Sequence, residues 1–214
     1  MRSGRPILRV GLTGGIASGK TTIAEILSEL GAFVLDADAL AHAVMEPGAS
    51  AYERVVQHFG RELLDDQGRI FRPRLAEKVF HDEQARLALN HIVHPEVMAE
   101  ADRLLAAYAP RGRARVAIFD AALLVETGLY RDFHRLIVAR CSRETQIRRL
   151  LARDRLTATE AEARIDSQAP LEKKLEVADY VIDTEGTLRE MRKRTEGVNA
   201  ALLGDFEREF GAPS

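Results

Sequence analysis

Short apolar runs ending in an acid or a small polar residue recur along this chain, separated by stretches with helical periodicity. Ile7-Leu8-Arg9-Val10-Gly11-Leu12, Phe33-Val34-Leu35, Val116-Ala117-Ile118-Phe119, Leu136-Ile137-Val138-Ala139 and Tyr180-Val181-Ile182 read as buried strands. Between the first two, Ile23, Ile26, Leu27 and Leu30 fall on one face of a helix from Thr22 to Leu30, which Gly31 ends. Strands alternating with helices predict an α/β fold, a parallel doubly wound sheet of about five strands.

Residues 49–107 break the alternation. A helix is predicted from about Ala39 to Met45, ended by Pro47-Gly48. Tyr52, Val55, Val56 and Phe59 share a helix face, and Gln67-Gly68 marks a turn or small hairpin. A helix should start near Pro73 and reach Phe80. A longer pattern runs from about Glu83 to Ala107, with an interruption expected at His94-Pro95. The block 40–107 therefore reads as a helical insert, a substrate lobe within one domain spanning 1–214. Residues 143–174 are charged and helical and read as an Arg-rich lid; a final helix is predicted over Leu188 to Leu203.

The first strand leads into Gly14-Gly15-Ile16-Ala17-Ser18-Gly19-Lys20-Thr21, which fits G-x-x-x-x-G-K-[ST]. Strand, glycine-rich turn and helix N-terminus are the setting a phosphate-binding loop needs. Backbone N–H groups can wrap a polyphosphate where no Cβ intervenes, and the helix starting near Lys20 adds its positive end. Lys20 would reach the β- and γ-phosphates, and the Thr21 hydroxyl would ligate Mg²⁺.

Three groups of residues could complete a phosphoryl-transfer site. Asp36 and Asp38 stand at the carboxyl end of the second strand, where open α/β sheets place ligand groups. Asp38 is a candidate base for an acceptor hydroxyl; the pair could equally cap the next helix, and both roles remain open. Asp120 ends its strand as a Walker B acid would, in reach of Mg²⁺, but such acids also serve as turns and caps. Arg148, Arg149, Arg153 and Arg155 could close over transferring charge. For any one of them a solvated face paired with Asp154 is the simpler reading; for the set, one catalytic arginine is expected. His91 and His94 have no third ligand at suitable spacing, so a structural or substrate-contacting His94 is favoured over a zinc site.

Composition narrows the classes. With 46% hydrophobic and 30% charged residues and a net charge of −2, the 214-residue chain is ordinary for a globular protein and shows no bias toward nucleic acid. No run of about 18 apolar residues suggests a membrane span, and the basic N-terminus lacks the apolar core of a secretory signal. The lone Cys141 fits a reducing compartment, and a cytoplasmic location is expected. No N-K-x-D motif appears, which disfavours a guanine-specific GTPase.

The chain also resembles a known family, bacterial dephospho-CoA kinase, from about Leu8 to Leu203. The resemblance rests on Leu12 to Thr21, Val34 to Asp38, Glu46-Pro47-Gly48, Leu89 to Pro95, Leu123 to Glu126, Glu144-Thr145-Gln146 with Arg149 and Arg153, and Ala178 to Ile182. Ala122 stands where the family usually has proline. The resemblance implies phosphorylation of the ribose 3′-hydroxyl of dephospho-CoA by ATP with Mg²⁺, the last step of coenzyme A biosynthesis. It implies ATP binding by Gly14, Gly15, Ala17, Ser18, Gly19, Lys20, Thr21, Thr22 and Arg153. It assigns catalysis to Asp38, Lys20 and Arg149, metal contact to Thr21, beside the Asp120 that the strand pattern offers, and acceptor binding to His94, Leu123 and Leu124. Partners would be small molecules only, with the chain a monomer or weak homo-oligomer.

Overall fold

The computed structural model describes residues 6–80, 82–108, 114–154 and 156–211. The chain divides into two units, one of residues 1–35 and 109–214, the other of residues 36–108.

The first unit is built on five strands: β1 (Leu8–Gly14), β2 (Phe33–Asp36), β3 (Val116–Asp120), β4 (Arg135–Arg140) and β5 (Tyr180–Asp183). Their order in the sheet is β2-β3-β1-β4-β5. The central strand β1 runs parallel to β3, with Leu12 opposite Asp120, and parallel to β4, with Gly14 opposite Ala139. The register sets Asp120 one strand away from the start of the phosphate loop. Helices α1 (Lys20–Glu29) and α9 (Leu188–Phe210) bury apolar faces on the sheet. Ile23, Ala24 and Leu27 join Leu8, Val10, Leu12, Ile118, Ile137 and Leu202 in one core.

A second core includes residues of the loop after β3. The chain leaves the sheet at Asp120 and passes through successive turns, closed by Thr127 N–H to Leu123 O at 3.0 Å and Gly128 N–H to Val125 O at 3.1 Å. Leu124 comes back to pack with Leu136 and Val138. It lies so close to β1 that a Cβ on Gly11 would meet its Cδ1 at 2.8 Å. Between β4 and β5 lie α6 (Arg143–Asp154), α7 (Ala158–Asp166) and α8 (Leu171–Leu175). Thr157 and Glu160 form a capping box that fixes the start of α7.

Helix α9 runs seven residues beyond the predicted Leu203, to Phe210. Gly204 is too weak a breaker to stop it, costing about 1 kcal/mol against alanine. Past the glycine, Phe206 and Phe210 pack on the main core. There Asp205, 2% exposed, accepts hydrogen bonds from Arg135 Nε at 2.8 Å, from Tyr180 Oη at 2.7 Å and from Arg208.

The second unit holds α2 (Ala37–Val44), α3 (Tyr52–Phe59), α4 (Arg72–Phe80) and α5 (Glu83–Tyr108). Its own core joins Val44, Val55, Phe59, Leu75, Ile92 and Val97. The Gln67-Gly68 turn closes through Asp65 N–H to Arg69 O at 2.8 Å and an antiparallel bridge between Leu64 and Ile70. The expected interruption at His94-Pro95 is absent: α5 is continuous, with Pro95 inside it. A mid-helix proline costs about 3 kcal/mol. Ile92 and Val93 before it, and Val97, Ala101 and Leu105 after it, are all buried. At about 1.5–3 kcal/mol for each fully buried large aliphatic side chain, their combined burial outweighs that cost. Among the described residues no helix is long and apolar enough to cross a membrane.

Asp205 ties the far end of α9 to the sheet and gives stability a pH dependence. Burial alone would raise its pKa, but hydrogen bonds from Tyr180, Arg135 and Arg208 outweigh it and hold the carboxyl below its ordinary range. A depressed folded-state pKa adds stability that is complete above the unfolded value and is lost as pH falls through the folded one. Asp205→Asn should therefore lower stability at pH 7, and its deficit against the wild-type protein should shrink below about pH 4. Urea unfolding at both pH values checks this; an equal deficit at both would contradict it.

Candidate active site

The phosphate loop is a backbone device, and its conformation is unusual at two residues. Gly19, the N-cap of α1, has φ +86°, and Ala17 has φ +57° without being glycine. Left-handed geometry costs an alanine about 1–2 kcal/mol and persists only where surroundings over-determine it. At Gly14 the limit is space: a Cβ there would come within 2.9 Å of the Ala139 carbonyl oxygen on β4.

Side chains distant in sequence grip the loop. Gln146 Nε2 on α6 donates to Ile16 O at 2.8 Å, and Ile16 N–H donates to Gln168 Oε1 at 2.6 Å. Arg149 Nη1 donates to Ala17 O at 3.1 Å. Thr184, fully buried just beyond β5, donates through Oγ1 to Ser18 O at 2.6 Å. Arg149 is also bonded to Thr184, through Nη1 to Oγ1 at 3.1 Å and Nη2 to the carbonyl oxygen at 2.7 Å.

Charge collects at the first turn of α1. Lys20 Nζ is ion-paired with Asp120 Oδ1, and both side chains are largely buried, 17% and 13% exposed. Thr21 is exposed beside Lys20, and Thr22 is half-buried. Thr21 hydroxyl and Asp120 carboxylate are hard oxygen donors of the kind Mg²⁺ accepts alongside nucleotide phosphates. No cluster of three His, Cys, Asp or Glu side chains that could hold a metal by themselves occurs among the described residues.

The remaining expected residues have varied positions. Arg153 is exposed and pairs with the adjacent Asp154, Nε to Oδ1 at 2.6 Å, and Asp154 also accepts from Arg164. Arg149, by contrast, spends its guanidinium on the loop and on Thr184. Arg148 reaches Thr145 Oγ1 at 3.2 Å, and Arg155 lies outside the described residues. Of the two leucines, Leu123 is 47% exposed while Leu124 is buried in the core, so Leu123 alone presents surface. Cys141 is buried, and burial pushes its thiol pKa up, which leaves it protonated at neutral pH. In the second unit Asp36 is the N-cap of α2, accepting from Ala39 N–H at 3.0 Å. Asp38, one turn-step on, is exposed and has no side-chain partner among the described residues. His94 is half-buried, and burial lowers its pKa, favouring the neutral ring.

Gln146, Gln168, Thr184 and Lys174 carry roles that motif spacing did not assign. Lys174 is fully buried; its Nζ donates to Glu126 Oε1 at 2.5 Å and to Ala122 O at 3.3 Å. The same carbonyl of Ala122 accepts from Thr13 Oγ1 on β1 at 2.9 Å. Glu126 also accepts from Ala169 N–H at 3.1 Å. Lys174 and Glu126 thereby clamp the turns that follow Asp120.

A phosphate loop at the carboxyl end of the central strand of a parallel sheet, with the lysine that opens α1 paired to the acid that ends β3, defines a P-loop kinase fold. The family model for dephospho-CoA kinase (CoaE) matches residues 8–190. A dephospho-CoA kinase of Syntrophotalea carbinolica is 42% identical over 197 residues, 92% of this chain and 93% of that protein. The crystal structure of TT1252 from Thermus thermophilus superposes with a TM-score of 0.76 at 33% identity, covering 92% of this chain and 99% of the other. Dephospho-CoA kinase from Campylobacter jejuni superposes with a TM-score of 0.54 at 26% identity, covering 92% and 96%. The chain belongs to the dephospho-CoA kinase family.

The buried pair predicts a stability effect next to the site. Glu126→Ala strands the Lys174 ammonium and should cost about 3–5 kcal/mol, whereas Lys174→Met with Glu126→Leu should recover much of the loss. Urea denaturation of the single and double variants measures both.

Proposed function

We propose that this protein transfers the γ-phosphoryl group of ATP to the ribose 3′-hydroxyl of dephospho-CoA, giving coenzyme A and ADP, the last step of coenzyme A biosynthesis. The observation that carries the reading is the phosphate loop with Lys20 held at the Asp120 carboxylate, in a chain of this family.

The residues divide the work. The N–H groups of Ala17, Gly19 and Lys20, free among the described residues, bind the ATP phosphates within a loop lined by Gly14, Gly15, Ser18, Thr21 and Thr22, with Arg153 also assigned to the nucleotide. Lys20 moves from Asp120 to the phosphate oxygens and offsets charge on the transferring group. Thr21 and Asp120 would hold Mg²⁺, which when bound neutralises phosphate charge. Asp38 orients the acceptor hydroxyl and takes its proton as the new P–O bond forms and the bond to ADP breaks. Its support is an exposed carboxylate that makes no other bond among the described residues, beside an Asp36 that already serves as the cap. His94, neutral through burial, and the exposed Leu123 are assigned to the acceptor. Residues 40–107 act as the acceptor lobe and 143–174 as a lid. The partners are ATP and dephospho-CoA, the chain acting as a monomer or weak homo-oligomer in a reducing cytoplasm that its single buried thiol suits.

ADP release with Mg-ATP should rise strongly on adding dephospho-CoA and not on adding AMP, adenosine or gluconate. Stimulation by another of these acceptors would reassign the acceptor lobe. Asp38→Asn should keep nucleotide affinity and lower kcat by about 10²–10⁴-fold; unchanged turnover would remove Asp38 from the mechanism. Lys20→Ala should lower both nucleotide affinity and kcat.

A further inference from the structure

Three successive carbonyls of the phosphate loop are taken up by three side chains: Ile16 O by Gln146, Ala17 O by Arg149 and Ser18 O by Thr184. In a trans peptide the C=O and the following N–H point in opposite directions. No peptide in the described structure is cis. Holding Ile16 O therefore aims the N–H of Ala17, and holding Ser18 O aims the N–H of Gly19. Those two N–H groups, with that of Lys20, donate to no acceptor among the described residues, whereas Ser18 N–H is used internally on Gly15 O at 3.0 Å. The bound carbonyls thus alternate with the free donors an anion requires.

We propose that Gln146, Arg149 and Thr184 are positioning residues that pre-form the anion cradle by binding the loop from its carbonyl side. None needs to touch nucleotide for this. The arrangement also accounts for the left-handed Ala17: the peptides on both sides of it are fixed by outside hydrogen bonds, so the strained residue has no lower conformation to relax into. Arg149 serves twice, on Ala17 O directly and on Thr184, whose hydroxyl accepts from the guanidinium while donating to Ser18 O. This gives Arg149 a role in loop geometry beside the lid role on the transferring phosphate that the family motif suggests. The inference rests on the reading of the loop as the ATP site and specifies what holds that site in shape.

Thr184→Val keeps the shape and removes the hydroxyl; Thr184→Ser keeps the hydroxyl. Gln146 is half-buried beside a cavity of about 500 Å³, so Gln146→Met has room. ADP affinity by calorimetry, KM for ATP, KM for dephospho-CoA and the melting temperature of the free protein are measured for each. Thr184→Val and Gln146→Met should each weaken ADP binding and raise KM for ATP about tenfold, with KM for dephospho-CoA within about twofold. Thr184→Ser should restore ADP affinity. Wild-type ADP affinity in both Thr184→Val and Gln146→Met would overturn the proposal, even if their melting temperatures fall. So would a Thr184→Ser variant as impaired as Thr184→Val. If Thr184→Val does not fold, the ADP affinity of Gln146→Met decides. Wild-type protein that binds ADP but ignores dephospho-CoA would sink the acceptor assignment and leave this inference to the ADP data; no ADP binding by the wild type would sink both.

Discussion

A loop that binds polyphosphate through its backbone has to keep several N–H groups unsatisfied and still hold one shape. Unpaired donors normally drive a segment to rearrange until they find acceptors. Here the loop cannot rearrange. It is fixed at one end by the β1 ladder, whose Gly14 sits opposite Ala139, and at the other by the first turn of α1. Its carbonyls are occupied by side chains from α6 and from the end of β5. The rest of the first unit supplies those anchors. The sheet order puts β3 and β4 on either side of β1, so an acid from one and a close backbone from the other both reach the loop.

The same logic accounts for three polar groups buried at the carboxyl edge of the sheet. Thr13, Thr184 and Lys174 are each fully buried, and each finds a backbone carbonyl or a carboxylate. Such groups are costly unless paired. Their partners are the turns after β3 and the loop after β1, segments with no regular ladder of their own. Polar burial therefore substitutes for secondary structure where a binding site needs irregular backbone.

Much of this was legible in the sequence because it is local. Apolar runs marked all five strands, and G-x-x-x-x-G-K-[ST] marked the loop in its strand–helix setting. Asp36 as a cap was readable from Asp-Ala-Asp before a helical pattern. The limits of α5 were legible too, but its continuity through Pro95 and the full length of α9 were not, because burial on both sides of Pro95 and packing beyond Leu203 carried the helices on. Nor was the placement of Arg149 and Thr184. The bond from Thr184 to Ser18 joins residues 166 apart, and no spacing rule connects a threonine after the last strand to a loop after the first. Gln146 stood inside a recognisable motif, but the motif gave it no task. Leu124 was grouped with Leu123 because neighbours in a motif share a label, whereas leaving the strand turned one inward and the other out.

Ile16 donates its amide proton to Gln168, which belongs to the connection between α7 and α8. A single backbone amide in the middle of the phosphate loop is thus protected by a side chain from a different part of the fold. Its exchange with solvent deuterium requires that one side-chain bond break, by a turn of Gln168 or by movement of the connection, and requires no strand or helix to open. A single amide of the loop therefore reports on its contact with the α7–α8 connection, readable at one residue with no nucleotide bound.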